Sequence, residues 1–328
     1  MGIPEARFDT PFNIARLSHA TLYVRDLARS RRFYADTLGL LVTAETPDAI
    51  YLRGFEERNH HSLVLVQSES PAVGHLGYKV HREGDLERLE AFLDHEGRPT
   101  TWVDLPFQDL TLRTIDPQGI PIEFYHRMDR VPTELQRYAK QRGGKLQRID
   151  HFNCFTNDLD GSLEFYHRLG FRTTEYTVKD GTDTLLSAWL QRRGTTHDLA
   201  FALGAGPRLH HVAFWVANPL NIIDLLDLMA TTGYQSNIER GPGRHGISNA
   251  FFLYVRDPDG HRVEIFNGDY SAIDHDHEPL RWQFSDPLRS CLWGPPAPRS
   301  WIEEGSIFLG QETHPPKTGA DVPTSVAA

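Results

Sequence analysis

Apolar and polar residues alternate along this chain at two periods, and the periods switch in a regular order. In "RLSHATLYV" (16–24) apolar side chains recur at every second residue over much of the run, which predicts a half-buried strand. Asp26 then opens "DLARSRRFYADTLGL" (26–40), where apolar residues return at helical spacing until Leu-Gly stops the run. The same succession recurs in "RIDHFNCFTNDLDGSLEFYHRLGF" (148–171), so that His19 lies over His151, Phe33-Tyr34 over Phe165-Tyr166 and Gly39 over Gly170. Glycine suits both stops because the left-handed conformation there carries no Cβ penalty.

The correspondence continues down each half. "HHSLVLV" (60–66) lies over "THDLAFA" (196–202), "GHLGYKV" (74–80) over "HHVAFWV" (210–216), and "TIDPQGIPIEFY" (114–125) over "VRDPDGHRVEIF" (255–266). Each half reads as strand, helix and three or more strands, with a further helix, "DLERLEAFLDHEG" or "NPLNIIDLLDLMATTG", between the last two. This pattern predicts an α+β protein with an N-terminal unit over 14–130 and a C-terminal unit over 146–270. The polar, Gly-Gly-containing stretch 126–145 links them. Residues 271–310 form a lid or tail segment, and the small, polar run 311–328 is expected to be disordered.

Composition narrows the chemistry. The chain has 328 residues, 39% hydrophobic and 24% charged, an ordinary mixture for a soluble globular protein of about two domains. No apolar run reaches the roughly 18 residues of a membrane span, and the first residues lack a secretory signal pattern, so a cytoplasmic location away from membranes is expected. A formal net charge of −10 without a clustered basic surface argues against nucleic acid; "RSRRF" (29–33) reads as a solvated helix face. Cys154 and Cys291 are the only cysteines, which leaves no disulfide framework and no Cys-x-x-Cys pair. Any metal must therefore be held by histidine and carboxylate.

Three residues of that kind fall on three strands of the C-terminal half: His151, one of the pair His210/His211, and Glu264. Two neutral imidazoles and a carboxylate are the set that holds non-heme Fe(II) on one face and leaves the opposite positions open. Strand alternation sends His210 and His211 to opposite sides of the sheet, so only one is expected to be a ligand. Taken singly, each histidine has a plain reading as a hydrogen-bonded strand residue, and Glu264 could face solvent. Between Val263 and Ile265, however, an inward carboxylate is costly unless a cation or donors compensate it.

The segments "RIDHFN", "THDLAF", "RLHHVAF" and "ERGPGRHGISNAFFLYVRDPDGHRVEIF" resemble those of the type I extradiol ring-cleaving dioxygenases of the vicinal oxygen chelate superfamily, over about residues 14–300. The resemblance implies two domains of paired βαβββ modules, each an open eight-stranded cup. It implies His151, His211 and Glu264 as ligands of Fe(II), or of Mn(II), with a catechol and O2 as reactants and a homotetrameric assembly. His197 becomes the acid and base beside the oxygen site, Tyr254 a hydrogen-bond partner of the substrate oxygen, and Asn153 a wall of the oxygen pocket. Trp189, Arg240, His245 and Arg289 match positions at the substrate end. Within the family the similarity is to members acting on 3,4-dihydroxyphenylacetate, which yields 5-carboxymethyl-2-hydroxymuconate semialdehyde. The loop "ERGPGRHG" (239–246) suits a lid, with Arg240 placed to hold an acidic substituent and Arg289 as a second clamp. Cleavage of plain catechol or a dihydroxybiphenyl, or another metal-dependent reaction of the superfamily, are the alternatives.

The N-terminal half keeps His19, His75 and Glu123 at the ligand positions and His61 opposite His197. Arg113 replaces Tyr254, Thr21 replaces Asn153, and no lid sequence is present. The expectation is a structural remnant of a metal site.

Overall fold

The computed structural model describes residues 2–317. In the N-terminal half, eight strands form one sheet: β1 (Ile14–Val24), β2 (Leu41–Glu45), β3 (Ala49–Arg53), β4 (Leu63–Gln67), β5 (Ala72–Val80), β6 (Thr100–Leu105), β7 (Gln108–Ile115) and β8 (Pro121–Tyr125). Their order is β2-β3-β4-β1-β5-β8-β7-β6. Helix α1 (Leu27–Arg31), which continues as wider turns over Arg32–Thr37, follows β1, and α2 (Asp85–His95) follows β5.

The C-terminal half repeats the plan with β9 (Arg148–Thr156), α3 (Leu159–Arg168), β10 (Arg172–Val178), β11 (Leu185–Gln191), β12 (Leu199–Leu203), β13 (Arg208–Trp215), α4 (Pro219–Thr231), β14 (Ile238–Arg244), β15 (Phe251–Arg256) and β16 (Arg262–Asn267). The order β14-β15-β16-β13-β9-β12-β11-β10 is the N-terminal order read from the other end, and β17 (Leu280–Gln283) extends its β10 edge. Each half is thus two βαβββ modules joined where the first strands of both modules pair, β1 with β5 and β9 with β13.

Local chemistry explains the element ends. Asp26 and Asp158 cap α1 and α3 by accepting from the main-chain N–H three residues on, each at 2.9 Å. Gly39 closes the first helical segment at φ +86°, and a Cβ there would strike the Arg142 carbonyl of the linker at 2.0 Å. The linker is therefore docked on the N-terminal half, with Met128 buried.

One hydrophobic core runs through both halves. Tyr78 of β5 packs against Phe152 of β9 and Phe171, with ring centroids 6.3 and 5.7 Å apart. The halves also exchange a matched pair of hydrogen bonds. Tyr34 Oη donates to Asp257 Oδ2 of the C-terminal Asp-Pro-Asp-Gly turn at 3.0 Å, and Tyr166 Oη donates to Asp116 Oδ2 of the N-terminal Asp-Pro-Gln-Gly turn at 3.3 Å.

After β17 come α5 (Pro287–Ser290), α6 (Arg299–Glu303) and β18 (Ser306–Ile307), which pairs with β13. Residues 311–317, expected to be disordered, are held by main-chain bonds: His314 exchanges two with Gly206, at 2.7 and 3.0 Å, and the Lys317 N–H reaches the Asn157 carbonyl at 2.8 Å. The remainder of that expectation, 318–328, lies outside the described residues. Among the described residues no helix is long and apolar enough to cross a membrane.

Candidate metal centre

β9, β13 and β16 lie side by side, so residues two strands apart share one face. Ala213 of β13 pairs with His151 on one side and with Glu264 on the other. His151 Nε2, His211 Nε2 and Glu264 Oε2 lie 2.9, 3.0 and 3.1 Å from one another, and each residue is at most 3% exposed. A triangle with edges of about 3 Å is one face of an octahedron whose metal–donor bonds are about 2.1 Å, the length usual for imidazole and carboxylate ligands. Val263 and Ile265 on either side of Glu264 are wholly buried in the core. Period-two alternation thus lets an acid sit in an apolar strand and face the opposite way.

The electrostatics favour a cation at this face. Burial pushes the Glu264 carboxyl up, but the His211 charge and the hydrogen bonds of both imidazoles outweigh it and hold the group well below the carboxylate range. Burial lowers His151, yet its hydrogen bonds to Asp150 and Glu264 and their charges lift it to about 9. Burial, against the charge and hydrogen bond of Glu264, brings His211 down to about 4. Two buried carboxylates around His151 therefore favour positive charge at its Nε2, supplied by a proton or by a metal ion.

Behind each imidazole stands a partner for its other nitrogen. His151 Nδ1 is 3.1 Å from Asp150 Oδ2. Arg193 holds Asp150 from the far side and pairs with Asp198 at 2.9 Å, and Asp198 accepts from the Leu17 N–H of the N-terminal half at 3.1 Å. His211 Nδ1 is 2.6 Å from Nδ1 of His210. The alternation expected to separate these two rings is interrupted: β13 is irregular between Leu209 and His211 against β9, and His210 is the extra residue. Sequence periodicity missed both Asp150 and His210. Asp150 left no trace beyond its position immediately before a candidate ligand, and His210 was visible only as the alternative to His211.

The triad forms the floor of a cavity of about 390 Å³ lined by Asn153, Trp189, His197, His245, Tyr254 and Arg289 among others. His197 stacks obliquely on His151 with centroids 4.0 Å apart. Burial and the His151 charge keep it neutral, far below its ordinary value. Its Nδ1 has Thr196 Oγ1 at 3.0 Å and Ser248 Oγ at 3.4 Å. Ser248, at φ +57°, is fastened by its N–H to buried Glu175 at 2.7 Å, and Glu175 also accepts from Tyr270 and from Trp282 of β17. Tyr254 faces Glu264 across the β15–β16 ladder, and its hydroxyl is 3.1 Å from His245 Nε2. Because His245 Nδ1 meets the Ser290 carbonyl, Nδ1 carries that ring's proton and Nε2 accepts from Tyr254.

Arg240 departs from expectation. It is 2% exposed and does not line the cavity; its guanidinium lies between the rings of Phe252 and Trp301, 4.8 and 4.7 Å from their centroids. The tail passes over β14 at this point and covers the side chain. Arg289, on α5, reaches the cavity wall instead.

In the N-terminal half the corresponding groups also meet, but differently. His19 Nε2 is 2.6 Å from Glu123 Oε1, and Arg113 Nε donates to Glu123 Oε2 at 2.8 Å. Among the described residues, His151, His211 and Glu264 form the one cluster with metal-ligand geometry.

Comparison with known proteins agrees with this picture. The Glyoxalase/Bleomycin resistance protein/Dioxygenase superfamily model matches residues 16–124 and 148–265. An extradiol ring-cleaving dioxygenase from B. fuscum superposes with a TM-score of 0.91 at 40% identity, covering 96% of this chain and 90% of that one. Homoprotocatechuate 2,3-dioxygenase from Arthrobacter globiformis superposes with a TM-score of 0.90 at 39% identity, covering 95% and 99%. A manganese-dependent 2,3-dihydroxybiphenyl 1,2-dioxygenase from Geobacillus genomosp. 3 is 30% identical over 85% of this chain and 93% of its own. The chain belongs to the Glyoxalase/Bleomycin resistance protein/Dioxygenase superfamily and, within it, to the extradiol ring-cleaving dioxygenases.

Proposed function

We propose that the protein cleaves 3,4-dihydroxyphenylacetate beside its two hydroxyls, with O2, to 5-carboxymethyl-2-hydroxymuconate semialdehyde. His151, His211 and Glu264 would hold Fe(II) or Mn(II); both metals accept this ligand set. A divalent ion held there acts as a Lewis acid that lowers the phenol pKa and brings the catechol and O2 into one electronic system.

The chain's own groups supply the rest. Neutral His197 takes a catechol proton at its cavity-facing nitrogen and returns it later in the cycle, a task that needs an imidazole free of charge at rest. Tyr254 meets a substrate oxygen with its hydroxyl, steadied by His245. Asn153, whose side-chain oxygen is buried without a partner, borders the oxygen side. Trp189 and the apolar wall around Leu186, Phe201 and Ile247 embrace the ring.

The observation that carries the substrate assignment is Arg289, a buried guanidinium at the wall of an otherwise largely apolar cavity with the triad at its floor. A guanidinium so placed suits the carboxylate of an arylacetate. Arg240, behind Tyr254, is assigned to supporting the pocket. Steady-state kinetics on 3,4-dihydroxyphenylacetate and 4-methylcatechol test this in the wild type, Arg289→Ala and Arg240→Ala. Loss of Arg289 is expected to raise KM for the acid at least about tenfold and to leave the methyl compound little changed, as removal of a charge-assisted contact does. If the preference for the acid survives Arg289→Ala, the assignment is wrong. We also take the protein to be a cytoplasmic homotetramer, which light scattering checks for the assembly.

A further inference from the structure

We propose that His210 is a positioning residue that sets the ring of His211 for metal binding and ties this ligand to the C-terminal tail. The inference rests on the reading that His151, His211 and Glu264 hold a divalent ion.

His210 bridges two groups. Its Nε2 is 2.7 Å from the main-chain carbonyl of Trp301 in α6, and its Nδ1 is 2.6 Å from His211 Nδ1. A carbonyl has no proton to give, so His210 Nε2 carries the hydrogen and donates it. One hydrogen remains for the contact between the two Nδ1 atoms. If His211 supplies it, His211 Nε2 is bare toward Glu264 Oε2 and His151 Nε2, at 3.0 and 3.1 Å, as a ligand must be. His210 could supply it only as a doubly protonated, positively charged ring, and the hydrogen of neutral His211 would then sit on Nε2 and block the ligand face. Metal binding therefore selects the sequence Trp301 carbonyl, His210, His211, metal face, with every hydrogen pointing away from the metal.

The far end of this relay is fixed. Buried Arg262, two residues before Glu264, donates to the Ser300 and Glu304 carbonyls flanking Trp301, at 3.0 and 3.1 Å, and to the His210 carbonyl at 2.9 Å. Glu239 grips the same guanidinium at 2.6 and 3.0 Å and accepts from Ser300 Oγ at 2.9 Å. The Trp301 carbonyl is consequently held against the sheet, although it stands 91 residues from His210 in the chain. His151 is anchored to the N-terminal half through Asp150, Arg193 and Asp198; His211 is anchored to the tail.

The test measures Mn(II) affinity by chelator competition on stripped protein, together with limited proteolysis of the tail in the loaded form, for wild type, His210→Phe and His210→Gln. Glutamine spaces an amide donor and acceptor much as the imidazole spaces its nitrogens, so it can donate to Trp301 and accept from His211. We expect His210→Phe to weaken Mn(II) binding by about 10- to 100-fold, with His210→Gln retaining most of the affinity. Cleavage in the tail is expected to be faster in His210→Phe alone. Wild-type affinity in the Phe variant overturns the inference, as does a Gln variant that falls as far as Phe, since ring packing against Phe155 and Trp301 would then be the cause. Should the Phe variant fail to fold, His210→Met takes its place with the same outcomes. A wild type that binds neither Mn(II) nor Fe(II) overturns the dioxygenase reading and this inference together, whereas unchanged affinity in the variants overturns this inference only.

Discussion

The molecule contains the same His-His-Glu pattern twice, on the same strands of two like-built halves, and the difference lies in what stands behind the ligand positions. In the C-terminal half Asp150 and His210 engage the outer nitrogens of His151 and His211. In the N-terminal half Ser18 and Gly74 occupy those places. Ser18 turns its hydroxyl to Tyr125, and His19 Nδ1 is buried without a hydrogen-bond partner. Gly74 has no side chain to offer His75. A cation is already present as well: Arg113, where the other half has Tyr254, pairs with Glu123. Burial pushes Glu123 up, but the His19 hydrogen bond and the charges of His19 and Arg113 hold it well below the carboxylate range. Burial and the Arg113 charge push His75 down to about 4. Ligand identity alone does not make a metal site; the groups that aim the imidazoles and the absence of a competing cation do.

The comparison is broken most sharply by removing the two acids in turn. Glu264→Gln is expected to lower turnover by at least about a thousandfold, in line with the several kcal/mol a metal contributes to such a step. Glu123→Gln should leave turnover and the metal content, one equivalent per chain, unchanged. Metal analysis beside oxygen-uptake assays reads both, and a drop to half the metal in Glu123→Gln would mean that the N-terminal half is a working site.

A smaller effect is expected one layer further out. Asp150→Ala should weaken metal binding about 10- to 100-fold, because His151 loses the acceptor that fixes its ring. Ser18→Ala, the matching change, should not alter metal affinity; equal effects in the two variants would remove the distinction drawn between the halves.

The smallest effect concerns the turns that lock the halves together. Burial raises Asp116 to about 6, against opposing hydrogen bonds from Ile120 and Gln118. With the folded value above the unfolded one, the stability it contributes is present below the unfolded value of about 4 and is lost as pH rises through about 6. Asp116→Asn carries no such charge, so its melting temperature relative to wild type should climb between pH 4 and pH 6.5 in calorimetry. A constant difference across that window would show that Asp116 does not titrate in it.

Much of this architecture was legible in the chain. The repeat, the switch between periods two and 3.6, the Asp caps at 26 and 158 and the Leu-Gly stops are local signals, and the strands and helices formed where those signals lie. Glu264 was visible for the same reason, as an acid out of place in an apolar strand. Arg240 misled because its charge was visible and its cover was not: Trp301, which stacks on it, comes from the lid or tail segment 271–310, for which the sequence pattern predicted no elements. His210 misled because alternation holds only while a strand is regular, and the irregularity on β13 becomes apparent only in its pairing with β9.

By itself the sequence determined the elements, the doubled plan and the candidate ligand positions, with the choice between His210 and His211 left open, since periodicity and side-chain type are properties of neighbouring residues. Which of the two like triads takes up metal-ligand geometry was decided by tertiary structure. Arg193, paired with Asp198, reaches Asp150 from a neighbouring loop, Trp301 reaches His210 from the tail, and Arg113 reaches Glu123 from across a ladder. These contacts set proton positions and local charge, and such properties depend on what lies within about 3 Å in space, whatever the separation along the chain.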